Sequence, residues 1–141
     1  MLVYFAVMVI LAGCGIKGNP SAPSLVKSRV EAVQNFKAIS SPDGVTLKWD
    51  VSKGDSSIDH MAVERSEVGS PGNECKDCPR TYEKIAEVAA GGKELPPSGG
   101  SYNNLSFIDK KVVKGKNYNY RLLVCNKKNN CIEGSTAEIN F

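Results

Sequence analysis

The stretch Val45-Thr46-Leu47-Lys48-Trp49-Asp50 decides the fold. Its first, third and fifth residues are apolar and alternate with polar residues, which is the period of a strand that buries one face. The dipeptide Asp43-Gly44, directly before it, is typical of a turn. The stretch therefore predicts an antiparallel strand whose buried face carries Trp49, the only tryptophan of the chain.

Other short apolar runs repeat this pattern towards the end of the chain. Tyr118, Tyr120, Leu122 and Val124 share one face of an alternating segment,. Similar runs occupy residues 61–65, 82–88, 107–108 and 137–141, although residues 86–90 also suit a helix, and two long loops rich in Gly, Pro and Ser occupy residues 67–80 and 90–104. About seven short strands separated by turns predict an all-β fold, an antiparallel two-sheet sandwich.

Two parts of the chain resemble fibronectin type III domains. The opening stretch looks like the second strand of that fold, with its inward Trp49. A later segment looks like its corner and its long late strand, through Phe107-Ile108-Asp109, Gly115, Tyr118-Asn119-Tyr120-Arg121-Leu122 and Val124-Cys125-Asn126. The resemblance implies a fibronectin type III or immunoglobulin-like sandwich, and we assign residues 29–141 to it. The two long loops and four of the cysteines depart from the family pattern.

The N-terminal sequence predicts export. An unbroken apolar stretch runs from Leu2 to Ala12, which suits a secretory signal and is too short to span a bilayer. The following run, Leu11-Ala12-Gly13-Cys14, resembles the lipobox of bacterial lipoproteins. The resemblance implies that residues 1–13 are a signal peptide and that Cys14 carries acyl chains, palmitate among them, on a membrane surface. The first five residues lack the Lys or Arg with which such signals usually start.

Residues 14–28 contain two prolines and several small residues without periodicity, so we expect them to form a lipidated tether,. Their start, Cys14-Gly15-Ile16-Lys17-Gly18-Asn19-Pro20, is similar to the Cys-Gly-x-Lys-Gly-Pro start of small outer-membrane lipoproteins, with Asn19 inserted before the proline. This similarity, together with the absence of Asp at position 15, implies a bacterial cell-envelope location. We expect the outer membrane, with the domain in the periplasm.

Composition argues against several function classes. A net charge of +3 over 141 residues is too small to indicate nucleic-acid binding,. His60 is the only histidine, and no catalytic triad, metal-binding histidine pair or paired-carboxylate set is evident around it. We therefore predict that the protein is not an enzyme, has no catalytic residues and needs no metal or other cofactor.

Setting Cys14 aside for lipid leaves four cysteines, and an even number in an exported protein suggests disulfides,. The pair Cys75 and Cys78 forms a CxxC motif that also suits a redox dithiol. A third interpretation combines that pair with Cys125 and Cys131 in a zinc site, although a fibronectin-type topology places the two pairs at opposite ends of the sandwich. We predict two local disulfides, Cys75–Cys78 and Cys125–Cys131, the second across the turn of residues 126–130.

A basic stretch of four lysines lies near a predicted strand turn, formed by Lys110, Lys111, Lys114 and Lys116. Such a stretch either contacts an anionic partner or is a solvated loop that discourages aggregation. Tyr118 and Tyr120, which follow it, suit either a stacking platform or the core, and a sandwich favours the core, with one hydroxyl bonded to backbone.

These observations favour a lipid-anchored, non-catalytic binding or structural module that contacts envelope proteins or glycans. The membrane, through the N-terminal lipid, is one expected partner, and nucleic acid is not. In the expected topology the tethered N-terminus shares an end with the last hairpin, so the four-lysine corner and the Cys75–Cys78 loop point away from the membrane. Two alternatives stay open: a thiol redox or envelope assembly factor that uses the CxxC motif, and a metal-binding protein with four free thiols.

Overall fold

The computed structural model describes residues 31–75, 78–91 and 102–141, which form seven antiparallel strands in two sheets. The three-stranded sheet has the order β1-β2-β5 and the four-stranded sheet the order β4-β3-β6-β7. The predicted fold class, an all-β two-sheet sandwich of about seven strands, is confirmed. The strands are β1 Val33–Ser41, β2 Gly44–Ser52, β3 His60–Glu67, β4 Glu83–Ala89, β5 Tyr102–Asp109, β6 Asn117–Cys125 and β7 Cys131–Asn140.

Residues 45–50, the stretch that decides the fold, lie in β2, the central strand of the three-stranded sheet. β2 pairs with β1 on one side and β5 on the other, and its alternate residues Val45, Leu47, Trp49 and Val51 are all buried. Trp49 is 1% exposed and packs edge-on against Phe36, with the ring centroids 6.2 Å apart. The period of two therefore fixes which face of β2 enters the core.

The opposite half of the core comes from β3 and β6, the two central strands of the four-stranded sheet. Met61 and Val63 on β3 are completely buried, as are Tyr120, Leu122 and Val124 on β6. Because strand side chains alternate between faces, the residues between them lie on the outer face.

The structure corrects one sequence-based boundary and decides one alternative that the sequence left open. β5 begins at Tyr102, whereas the predicted loop extended to residue 104, because pairing of Tyr102 with Ser52 and of Asn104 with Asp50 overrides the low strand propensity of asparagine,. The segment that also suited a helix, residues 86–90, is extended through Ala89 and ends β4.

The predicted turn before β2 contains a glycine that the fold requires. Gly44 has a φ of 137°, which L side chains rarely adopt, and a Cβ at this position would overlap the carbonyl oxygen of Asp109. The β1–β2 turn consequently packs closely on the end of β5.

The two ends of the sandwich carry different parts of the chain. At the hairpin end, the Ser52 amide donates to the Ala32 carbonyl as the chain enters β1, and the β6–β7 turn of residues 126–130 lies at the same end. At the corner end lie the β5–β6 connection, residues 110–116, and the start of the β3–β4 loop. The eight residues of β3 separate the ends by on the order of 25 Å,.

Candidate functional site

The predicted basic stretch forms an exposed surface at the corner end, which we name the corner surface and define as Lys110, Lys111, Val113 and Lys114. All three lysines are exposed, and Val113 at its middle is 60% exposed. In the described ranges, none of the three ammonium groups forms an ion pair with a carboxylate. The corner surface therefore combines uncompensated positive charge with an apolar contact.

Lys116, the fourth predicted lysine, differs from the other three. Its ammonium lies 2.9 Å from Glu67 Oε1. The hydrogen bond and the negative charge of Glu67 raise the pKa of Lys116. Because its charge is compensated, we exclude Lys116 from the corner surface although the sequence placed it there.

A buried carboxylate lies directly beneath the corner surface. Asp109 is 3% exposed. Its two oxygens accept hydrogen bonds from Arg65 Nη1 at 3.2 and 2.9 Å. Its Oδ2 also accepts the Tyr120 hydroxyl at 3.0 Å, and its Oδ1 accepts the Lys111 amide at 2.9 Å. The carboxylate on β5 thus links the three-stranded sheet to the four-stranded sheet and to the corner backbone. Its hydrogen bonds are charge-assisted, and such bonds are stronger than those between neutral groups.

Further hydrogen bonds fix the backbone of the corner. Arg65 Nη1 also donates to the Lys111 carbonyl at 2.8 Å. The Val113 amide donates to the Tyr118 hydroxyl at 2.9 Å, and the Gly115 amide donates to the Phe141 carbonyl at 2.6 Å. Alternate corner residues, Lys111, Val113 and Gly115, are therefore hydrogen-bonded to other parts of the domain, which fixes the backbone that carries the surface lysines.

The surroundings of Tyr120 and Arg65 favour the protonated form of both side chains. Burial, together with the nearby charge of Asp109, raises the pKa of Tyr120 far above its ordinary value. Burial opposes the charge of Arg65, but hydrogen bonding and attraction to Asp109 outweigh it and raise the pKa of Arg65. Near neutral pH Tyr120 is therefore a hydrogen-bond donor and Arg65 is a cation.

Sequence reasoning anticipated the tyrosines but not their charged partners. Tyr118 and Tyr120 are 1% and 0% exposed, so the core interpretation is confirmed, and one hydroxyl does contact backbone. Arg65 continues the inward face of Met61 and Val63, and it pairs in register with Tyr120. An arginine in an inward position of a strand is the signal that could have indicated a buried acidic partner.

The four predicted disulfide cysteines form the two predicted local bridges, Cys75–Cys78 and Cys125–Cys131, with Cα separations of 5.3 and 4.0 Å. The first bridge lies in the β3–β4 loop at the corner end, and the second joins β6 to β7 at the hairpin end. The structure therefore does not bring the four thiols together as a shared zinc site requires. Cys125 lies on the outer face, as its alternation with Val124 predicts, yet it is completely buried.

A groove of about 630 Å³ on the three-stranded sheet is a second feature that sequence reasoning missed. On its wall, the Asp50 carboxylate accepts hydrogen bonds from the side-chain amides of Asn35 and Asn104. Lys37 and Lys48 lie opposite each other across the β1–β2 pair, where like charges repel. Among the described residues, no carboxylate forms an ion pair with either lysine.

The proposed lipid attachment residue, Cys14, and the tether of residues 14–28 lie outside the described residues. Within the described ranges, the structure contains no helix that is both long and apolar enough to cross a membrane.

No protein-family model matches the chain, and no curated protein matches it in sequence. Among solved structures it is similar to pectate lyase Pel3 from Pectobacterium carotovorum, with 16% identity and a TM-score of 0.47 over 77% of this chain and 26% of that one. Pectate lyase PelI from Erwinia chrysanthemi, in complex with tetragalacturonic acid, gives 16% identity and a TM-score of 0.45 over 76% and 27%. A myokine structure gives 12% identity and a TM-score of 0.40 over 78% and 93%. The chain thus spans about a quarter of the length of these pectate lyases.

Proposed function

We propose that the protein is a lipid-anchored, non-catalytic contact module of the bacterial envelope, and that its corner surface binds an acidic surface of another envelope protein. Cys14 carries the lipid, the outer membrane holds the anchor and the domain occupies the periplasm. The observation that carries the proposal is the corner surface itself, in which three uncompensated lysines and an exposed Val113 stand on a hydrogen-bonded base.

The position of the tether supports the direction of contact. The chain enters β1 at the hairpin end, next to Ser52, and the corner surface lies at the other end of the strands. A tether of residues 14–28 reaches on the order of 40 Å when extended. An anchored domain therefore directs its hairpin end to the membrane and keeps the corner surface available to periplasmic partners.

Charge and shape define the partner. Lysines whose ammonium groups form no ion pair with a carboxylate attract a negative surface and accelerate encounter with it, while Val113 supplies an apolar contact that a simple counterion cannot use. The hydrogen bonds from Arg65 and to Tyr118 limit the backbone ordering that binding would otherwise cost,. We therefore expect a folded acidic protein surface as the partner.

Charge reversal of the corner surface tests the proposal. The triple variant Lys110→Glu, Lys111→Glu and Lys114→Glu is compared with a control that reverses three exposed lysines of the hairpin end, Lys53, Lys127 and Lys128. Both variants change the net charge equally. The assay is cross-linking in intact envelopes from a photoreactive residue at Val113, identified by mass spectrometry.

We expect the cross-link to an acidic protein to fall at least tenfold in the corner variant, since three charge contacts are reversed, and to persist in the control. Equal cross-linking in both variants would remove the corner surface as the contact. Retained membrane attachment of both variants shows that the anchor is intact and separates that outcome from a failure of export.

The groove supports a second candidate function, binding of an anionic envelope saccharide. Lys37 and Lys48 supply positive charge, and the amides held by Asp50 offer groups that bond hydroxyls. Titration with a phosphorylated hexose, followed by amide chemical shifts, is expected to move resonances of the groove in the wild type and not in Lys48→Glu. Shifts that are the same in both proteins would eliminate this function.

A further inference from the structure

Three potential metal ligands form one row across the outer face of the four-stranded sheet. His60 on β3 pairs in register with Cys125 on β6, and Cys125 pairs with Cys131 on β7. The ligand atoms of all three side chains lie within 4.8 Å of one another. Strand register, rather than proximity in sequence, brings these residues together.

The neighbouring carboxylate orients the histidine. His60 Nδ1 lies 3.0 Å from Asp59 Oδ2. This contact favours the tautomer that carries its proton on Nδ1, so the lone pair remains on Nε2. A carboxylate in this position fixes the orientation of the imidazole ring, as it does beside many zinc-bound histidines.

We propose that the hairpin end is a redox-gated zinc site, in which His60, Cys125 and Cys131 bind Zn²⁺ when the Cys125–Cys131 disulfide is reduced. Two thiolates and one imidazole are a preferred ligand set for this ion. Cys131 is exposed, so a water molecule from solvent completes the tetrahedron. This site is separate from the corner surface and does not depend on its function.

A dithiol can serve as the reductant of the Cys125–Cys131 disulfide. The dithiol gives two electrons and two protons to the disulfide, which becomes two thiols while the reductant becomes a disulfide. Zn²⁺ then displaces the two thiol protons, which leave to solvent, and binds the two thiolates. A disulfide that accepts the two electrons and is reduced to a dithiol reverses the sequence. The ion is then released, because the sulfurs of Cys125 and Cys131 cannot remain thiolate ligands once they bond to each other.

The backbone geometry already suits the metal. Zinc–sulfur bonds of about 2.3 Å in a tetrahedron place the two sulfurs about 3.8 Å apart. The paired Cα atoms of Cys125 and Cys131 are 4.0 Å apart. Side-chain rotation after reduction can therefore reach the zinc geometry while the β6–β7 register stays in place.

The test uses the full chain in detergent with Cys14→Ser, Cys75→Ser and Cys78→Ser, which leaves only the hairpin cysteines. Zn²⁺ is added to the oxidised and to the reduced protein, and native mass spectrometry counts bound ions. Co²⁺ in place of zinc reports thiolate ligation through its absorption. Trp49 fluorescence checks that reduction leaves the buried core folded.

We expect one zinc ion on the reduced chain and none on the oxidised chain. His60→Ala should weaken binding by more than tenfold, and Asp59→Asn by about tenfold through loss of ring orientation. A folded reduced protein that binds no zinc, or that binds it equally well without His60, would overturn the proposal. If reduction alone unfolds the chain, added Zn²⁺ should restore the folded Trp49 fluorescence, because binding at the site is linked to folding. A reduced chain that stays unfolded in the presence of Zn²⁺ also overturns the proposal.

Discussion

Removal of the Asp109 carboxylate should be the most damaging single polar substitution at the corner end. In Asp109→Ala the Arg65 guanidinium loses its buried carboxylate partner, and the Tyr120 hydroxyl and Lys111 amide lose their acceptor. The side chains of Asp109 and Arg65 are 4% and 15% exposed, so solvent replaces few of these contacts.

The magnitude follows from what remains buried. Removing one partner of a buried ion pair costs about 3–5 kcal/mol. Arg65 keeps the Lys111 carbonyl and a longer contact with Glu83, so we expect the lower end of that range, about 3 kcal/mol in the free energy of unfolding. Asp50→Ala, on the outer face of β2, is the control and should cost about 1 kcal/mol or less.

The assay is urea unfolding followed by Trp49 fluorescence, with both disulfides intact. Arg65→Met and the double variant complete a double-mutant cycle, whose coupling free energy should exceed about 1 kcal/mol because the two side chains are in direct contact. An Asp109→Ala variant within about 1 kcal/mol of the wild type, or a coupling free energy near zero, would refute the assignment of this network as the base of the corner surface.

Three further predictions address other parts of the fold. Because the folded-state pKa of Tyr120 is raised, the contribution of Tyr120 to stability is complete below the unfolded pKa of about 10 and is lost as pH rises above it,. The urea midpoint should therefore fall less between about pH 8 and about pH 11 in Tyr120→Phe than in the wild type. Gly44→Ala should destabilise the domain by at least about 1 kcal/mol, through its positive φ and overlap with the Asp109 carbonyl,; a thermal midpoint equal to the wild type would contradict this. Replacing both Cys125 and Cys131 by Ser should cost about 2 kcal/mol or less in urea unfolding, since the closed loop is short,, and a larger loss would indicate that the bridge does more than pin the hairpin.

The sequence predicted the parts of the fold that depend on alternation. β2 and β6 follow the period of two so clearly that their buried faces, with Trp49 and Tyr120, are evident without a structure. The start of β5 was less accessible, because Asn103 and Asn104 have low strand propensity and extend only by pairing with β2,. The residues that neighbour Asn103 and Asn104 in the sequence do not indicate that this segment pairs with β2.

The candidate sites also differ in whether they depend on short-range spacing in the sequence or on contacts between distant strands. Corner lysines that are near one another in sequence were predictable, as was the hairpin bridge between Cys125 and Cys131, because both features depend on short-range spacing. The Arg65–Asp109 pair depends on the packing of one sheet against the other. The row that joins His60 to the hairpin cysteines depends on strand register, which a single histidine in the sequence does not indicate,.

The most direct test of the proposed anchored module is the intact mass of the protein extracted from its native membrane, with thiols alkylated before and after reduction. The expected result is a chain that begins at Cys14 with acyl chains attached, and alkylation of Cys75, Cys78, Cys125 and Cys131 only after reduction. A mass that retains residues 1–13 without lipid would contradict the anchor on which the proposed function depends.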